Sequence, residues 1–254
     1  MNYFETIILA VIQGLTEFLP ISSSAHLVFL QSLFNLKNLV NFDILLHLGT
    51  LCSILVYFRK NLITVVKDGF KSRYLLFLVL IGTLPAALAG FFLSEKIEKI
   101  FSSVEAAAVL LILNSFLLFS TKLGRFKKPL SRLKWHDGLF VGLFQALALL
   151  PGISRSGSTI TAGLLKGFKR QTAFLFSFYL AIPAILGAII LEKRSLFTFL
   201  SGNFIKAVLG VSISGVIGFW SLKFLEKTLK STKFFLFGFY CLFLGLVILL
   251  VRYL

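Results

Sequence analysis

The chain has 254 residues, of which 57% are hydrophobic and 14% charged, and its mean hydropathy is +0.94. One water-soluble core cannot hide that much apolar surface, so the composition excludes an ordinary soluble domain and points to a membrane. A net charge of +16 would suggest nucleic acid for a soluble protein. Here Lys and Arg sit in short clusters between apolar runs, as cytoplasmic loops require, and no nucleic-acid partner is expected.

In chain order, the first apolar region runs from Tyr3 to Phe34 and is broken at Leu19-Pro20-Ile21-Ser22-Ser23-Ser24. Glu5 and Gln13 interrupt its start and no small-residue cleavage site follows, so it is not read as a removed signal peptide. Three stretches long enough to span follow, Phe42 to Phe58, Tyr74 to Leu93 and Val104 to Thr121. A second broken region, His136 to Phe168, is interrupted at Pro151-Gly152-Ile153-Ser154-Arg155-Ser156-Gly157. Three more spans come after it, Thr172 to Leu191, Phe204 to Leu225 and Phe234 to Val251. Non-helical backbone survives at membrane depth only where protein or a wet cavity satisfies it, so each broken region reads as a re-entrant helix pair. Cys52 and Cys241 lack metal-like spacing and read as buried thiols. Gly69, Gly82, Gly90, Gly187, Gly210, Gly215 and Gly218 read as close-packing positions, with no nucleotide-binding signature among them.

A shift of 132 residues lays Gln13 on Gln145, Leu15 on Leu147, Ile21 on Ile153, Ser22 on Ser154 and Ser24 on Ser156 without a gap. The expected fold is therefore an all-α polytopic membrane protein in one integral domain over 1–254. It has six transmembrane helices plus two re-entrant helix pairs, and repeat halves of about 1–122 and 135–254. Three spans per half force the second half to insert inverted. Charge orients it: the loops around 59–73, 122–134, 166–170 and 223–233 gather 18 of the 26 Lys and Arg, which makes that side cytoplasmic. Lys37, Lys96, Lys99, Lys193, Arg194, Lys206 and Arg252 fall on the other side. The two broken tips then meet near the midplane.

Ionisable residues at that depth are functional hypotheses by default. Glu17 closes the first half-helix and Arg155 lies in the second break, so the inverted repeat brings opposite charges together; a purely structural ion pair is the bland alternative. Around them gather Ser22, Ser23, Ser24, His26, Ser154, Ser156, Ser158 and Thr159. A polar run that opens a helix offers free amides and the positive end of a dipole, a setting that prefers an anion. The Arg155 fork suits phosphate oxygens. Ser23 and His26, three residues apart, can share one face and reach one phosphorus centre, while Ser22 and Ser158 read as caps or backbone partners. His47 reads as structural, lining the cavity at most, and His136 as solvated.

Gln13-Gly14-Leu15-Thr16-Glu17-Phe18-Leu19-Pro20-Ile21-Ser22-Ser23-Ser24-Ala25-His26 and Pro151-Gly152-Ile153-Ser154-Arg155-Ser156-Gly157-Ser158-Thr159 resemble the two signature motifs of the undecaprenyl pyrophosphate phosphatase, or bacitracin-resistance, family. The likeness extends over the chain, including Phe42-Asp43-Ile44-Leu45-Leu46-His47-Leu48-Gly49-Thr50 and Phe176-Ser177-Phe178-Tyr179-Leu180-Ala181-Ile182-Pro183. The resemblance implies a multi-pass enzyme of the bacterial inner membrane, open to the extracytoplasmic side. Such an enzyme hydrolyses the C55 carrier pyrophosphate to its monophosphate and inorganic phosphate, so that the carrier re-enters peptidoglycan synthesis; its loss sensitises cells to bacitracin.

Gln13, Glu17, Ser23, His26, Ser154, Arg155 and Thr159 carry over by motif; with the hydroxyls clustered around them, the expected catalytic set is Ser23, His26, Glu17 and Arg155, with substrate contacts from Gln13, Ser24, Ser154, Ser156 and Thr159. The nucleophile stays open between Ser23, water and His26, with His26 otherwise moving the proton and Glu17 orienting His26 or holding a metal. A divalent cation, Mg²⁺ or Ca²⁺, would sit on Glu17 or arrive with the substrate. Gln13 stands where many relatives have a second carboxylate, which weakens the metal expectation, and Ser24-Ala25 stands for a frequent Thr-Gly. A lipid-phosphate transporter or flippase is the rival, since broken helices in inverted repeats also build transporters. A homodimer is compatible with the sequence, though no residue argues for it.

Overall fold

The computed structural model describes residues 1–36, 39–101, 103–124 and 126–253. Lys37 and Arg125, both weighed in the charge distribution, lie outside the described residues, as does the side chain of Arg194. Among the described residues eleven α-helices follow one another: α1 (Tyr3–Thr16), α2 (Ser23–Leu33), α3 (Val40–Tyr57), α4 (Arg59–Lys67), α5 (Arg73–Phe101), α6 (Val104–Phe119), α7 (Trp135–Leu147), α8 (Arg155–Leu165), α9 (Arg170–Leu191), α10 (Lys193–Lys230) and α11 (Leu236–Tyr253). No β-strand occurs among the described residues; one isolated bridge joins Lys128 to Phe168.

Among the described residues, five helical stretches are long and apolar enough to cross a bilayer: Val40–Tyr57, Arg73–Ile97, Val104–Leu123, Arg170–Leu191 and Ser195–Lys230. The chain is an all-α, multi-pass membrane protein. The sixth expected span coincides with a shorter apolar helix, Leu236–Arg252, and Tyr3–Thr16 is a second short one. At a rise of about 1.5 Å per residue, the 29 residues of α5 extend about 44 Å. Its end therefore projects past a hydrocarbon core about 30 Å thick. α10 is broken at Asn203, whose backbone (φ −135°, ψ 28°) leaves the helical region.

Local chemistry fixes where the helices begin. Asn2 and Glu5 form a reciprocal capping box, each side chain accepting the other's backbone N–H at 2.9 and 2.6 Å. Ser103 caps α6 through the Ala106 N–H at 3.0 Å. The two expected breaks are present but begin two and three residues earlier than the sequence indicated: α1 stops at Thr16 and α2 starts at Ser23, and α7 stops at Leu147 and α8 already starts at Arg155. The element bounds follow the 132-residue shift, with α2 and α8 both 11 residues long and starting 132 apart.

Contacts cross between halves. α1 packs on α10, α7 on α5, and α6 on α11, while α3 lies along α10. The α3–α10 crossing is close because a methyl at Gly49 would collide with Ser214 Oγ and the Val211 carbonyl. Gly82, Gly210, Gly215 and Gly218 are packing positions as expected; Gly69 and Gly187 are not, having open space where a Cβ would stand. Cys241 is buried but Cys52 is exposed on α3, a correction to the expected pair of buried thiols. Phe18, Phe58 and Phe174 surround the Phe178 ring with centroids 5.5, 5.6 and 5.0 Å away, packing the first break against α3 and α9.

Candidate active site

Both breaks are stitched to each other. Gly152, at φ +109°, leaves the α7 end in a conformation that L side chains rarely adopt, and a Cβ there would strike the Ala107 carbonyl. Its N–H donates to Ser22 Oγ at 3.2 Å and Ser24 Oγ at 3.4 Å in the opposite break. In return Ser154 Oγ and Ser156 Oγ donate to the Leu19 carbonyl at 3.4 and 3.3 Å. Asn114 of α6, only 1% exposed, holds both sides at once: its Nδ2 donates to the Pro20 carbonyl at 3.0 Å, and its Oδ1 accepts the Ser154 N–H at 3.2 Å. These bonds satisfy backbone that water cannot reach.

On this frame four elements converge on one carboxylate. Glu17, the residue that ends α1, accepts from Arg155 Nη2 at 2.7 Å through Oε1. Its Oε2 accepts from Ser23 Oγ at 2.7 Å and Gln13 Nε2 at 3.0 Å, and lies 3.3 Å from His47 Nε2. His47 Nδ1 donates to the Asp43 carbonyl at 2.7 Å, which aims the other nitrogen at Glu17. Asp43 in turn accepts from Gln31 Nε2 at 2.8 and 3.0 Å. The second arm of the Arg155 fork is not used: Nη1 is buried and makes no hydrogen bond, and Gln13 Oε1 is in the same condition. Orphaned buried donors are costly and call for an acceptor.

A cavity of about 330 Å³ opens on this cluster. Glu17, Ser22, Ser23, Ser24, Asp43, His47, Ser154 and Arg155 form its polar end, and Leu27, Val28, Ile97, Leu149, Ile153 and Ile185 contribute apolar wall. Its chemistry suits an amphiphile with an anionic head: fixed cation and hydroxyls at one end, hydrocarbon at the other.

Of the residues singled out from sequence, Gln13, Glu17, Ser23 and Arg155 meet directly, and Ser24 and Ser154 line the same cavity. His26 does not join them. Its Nδ1 donates to the Ser22 carbonyl at 2.7 Å and its Nε2 accepts from the Tyr240 hydroxyl at 2.8 Å, with the two rings nearly parallel at 4°. Ser23 and His26, though three apart on α2, therefore face different partners, and the imidazole beside Glu17 is His47. Thr159 bonds the Arg155 carbonyl at 2.8 Å and Ser177 Oγ at 2.6 Å, and Ser156 the opposite break, so both support Arg155 from behind. Ser22 and Ser158 are engaged with backbone, as their places in the motifs indicated. Sequence reading took His47, which does line the cavity, as structural, and passed over Asp43 and Asn114. The first two had a signal: two ionisable residues four apart share one face of an apolar span, where they are costly.

As a metal ligand Glu17 fits poorly. Both oxygens already accept from cationic or hydroxyl donors, and no group of three His, Cys, Asp or Glu capable of holding an ion occurs among the described residues.

Residues 6–247 match the family described as Bacitracin resistance protein BacA. The chain belongs to that family. It is 42% identical over 273 aligned residues to the undecaprenyl-diphosphatase of Thermomicrobium roseum, with 99% of this chain and 98% of the relative covered. The protein of the same name from Thermodesulfovibrio yellowstonii is 42% identical, with 98% and 97% covered. That of Halothermothrix orenii is 37% identical, with 99% and 98% covered. The expected membership rested on the motifs around Glu17 and Arg155, and the family match encloses both.

Proposed function

We propose that this chain is an undecaprenyl-diphosphatase: it hydrolyses the terminal phosphate of a C55 polyprenyl pyrophosphate within the bilayer, releasing inorganic phosphate and recycling the carrier for wall synthesis. The observation that carries the reading is the Arg155 guanidinium, which is tied to Glu17 by one arm and has the other arm unpartnered, at the polar end of a cavity with hydrocarbon walls. The full-length relatives named undecaprenyl-diphosphatase support it.

The prenyl chain lies along the apolar wall and the pyrophosphate sits at the cluster. Arg155 neutralises the equatorial oxygens, a role worth about 10³-fold or more in phosphoryl transfer. Ser23 Oγ, held by Glu17, or a water in its place attacks the terminal phosphorus in line as the bond to the bridging oxygen breaks and the polyprenyl monophosphate leaves; where Ser23 attacks, water then hydrolyses the phosphoserine to release inorganic phosphate. His47, beside the same carboxylate, moves the proton. Asn114, Thr159 and the His26–Tyr240 pair position the breaks, and Ser24, Ser154 and Gln13 complete the polar wall. A divalent ion, Mg²⁺ or Ca²⁺, arrives as the counter-ion of the pyrophosphate and belongs to the substrate.

We read the two halves, about 1–122 and 135–254, as inverted repeats of one re-entrant pair and three spans, with the cavity opening outward from the bacterial inner membrane. The matching helix bounds and the charge distribution support that topology. Release of phosphate from C55 pyrophosphate by the purified protein in detergent tests the activity. No release from folded protein supplied with Mg²⁺, together with transfer of the lipid across vesicles, would establish the transporter instead.

A further inference from the structure

Away from the cavity, the segment before α7 and the turn before α9 are built into one ledge. The Lys127 and Lys128 N–H groups both donate to the Gly167 carbonyl at 2.8 and 2.7 Å, and the Lys169 N–H donates to the Lys128 carbonyl at 2.8 Å. The ledge encloses an open depression of about 720 Å³. It shares no lining residue with the catalytic cavity.

Lys127, Arg132, Lys134 and Lys166 line this depression. The local carboxylate, Asp137, is fully buried and already bonded: Lys128 Nζ reaches it at 2.9 and 3.0 Å, and the Lys134 N–H at 2.8 Å. Among the described residues no acidic side chain lies within ion-pair distance of those four cations. A salt-bridged surface would be electrically neutral; here four cationic residues line one open face without a carboxylate partner, and Lys166 Nζ also lies 4.4 Å from the Phe140 ring centroid. Its depth is set by Trp135, which follows Lys134, opens α7 and is 55% exposed. Exposed Trp at a helix end marks the headgroup level of a bilayer.

We infer that this depression binds the phosphate headgroup of an anionic membrane lipid. The cations match a phosphate in charge and donor number. Basic segments at the cytoplasmic face of a membrane are attracted to acidic headgroups. General attraction of basic loops to an acidic surface would not require a pinned, concave frame. The site stands apart from hydrolysis, so lipid held here leaves the catalytic cluster untouched.

The test is binding of phosphatidylglycerol to the full chain in detergent by native mass spectrometry. Wild type is compared with two variants of equal charge loss: K127Q/R132Q/K134Q/K166Q in the depression, and K60Q/K67Q/K227Q/K233Q at other exposed basic positions, on α4, the end of α10 and the turn after it. The depression variant is expected to bind about 10-fold more weakly or worse, and the control within about 3-fold of wild type. Phosphatidylcholine should bind weakly to all three, and millimolar inorganic phosphate should not displace phosphatidylglycerol. Equal losses in both variants would overturn the inference in favour of diffuse charge attraction. Displacement by inorganic phosphate would reassign the depression to a soluble anion, and equal retention of phosphatidylcholine would remove the headgroup from the account.

Discussion

Arg155 Nη2 donates to Glu17 Oε1 at 2.7 Å across 138 positions of sequence, the one ion pair, among the described residues, in the set of bonds that joins the two broken regions of the chain. Removing one member of a buried pair leaves the other uncompensated, at a cost of about 3–5 kcal/mol. Glu17→Gln is therefore expected to lower both thermal stability and phosphate release. The release should fall by about 10²-fold or more, since Ser23 and His47 lose their shared acceptor with the ion pair. Differential scanning fluorimetry and a phosphate assay on the same preparation check both.

Ser23→Ala separates binding from chemistry. The hydroxyl is held by Glu17 at 2.7 Å and is one small group of a large lipid contact. We expect kcat to fall by about 10²-fold or more with KM changed by less than about 3-fold, the pattern of a group that acts in the transition state. An equal rise in KM with kcat intact would make Ser23 a mere binding hydroxyl.

His26 and Tyr240 act as one unit, bonded at 2.8 Å with stacked rings. Their substitution should be non-additive: His26→Ala combined with Tyr240→Phe is expected to cost little more than the larger single change. His47→Ala, by contrast, should add its loss of kcat almost fully to Tyr240→Phe, because it stands at Glu17 instead. A double-mutant cycle on phosphate release reads both.

Asn114→Leu keeps the volume of the side chain but orphans the Ser154 N–H, at a cost of about 1–3 kcal/mol when buried, and leaves the Pro20 carbonyl with only the weak Cys241 Sγ donor at 3.5 Å. A lowered melting temperature and reduced kcat are expected. Asn114→Asp, which can still accept from Ser154 but cannot donate to Pro20, should recover only part of the loss.

The broken helices, the convergence of Glu17 with Arg155 and the family were legible because each rests on a local pattern. Apolar runs interrupted by Pro, Gly and Ser can be read along the chain, and a 132-residue shift relates them. What could not be read was side-chain direction. Ser23 and His26 are neighbours on α2, yet one faces α1 and α3 while the other turns to Tyr240 on α11, a helix that begins 210 residues later. His47 looked unpartnered because Glu17 lies 30 positions away and reaches it only through the packing of α1 on α3. Asn114, one polar residue in an apolar span, gave no sign that it bridges two loops at once.

The measurement that bears hardest on this account is the kcat/KM for phosphate release from C55 pyrophosphate by Arg155→Lys. Lys keeps the charge but loses the fork, so it can answer Glu17 or the substrate phosphate but not hold both in the planar geometry of the guanidinium. The account predicts a loss of about 10²-fold or more in protein that remains folded. Near wild-type turnover by that variant would contradict it, because the unpartnered guanidinium arm would then have no part in binding phosphate.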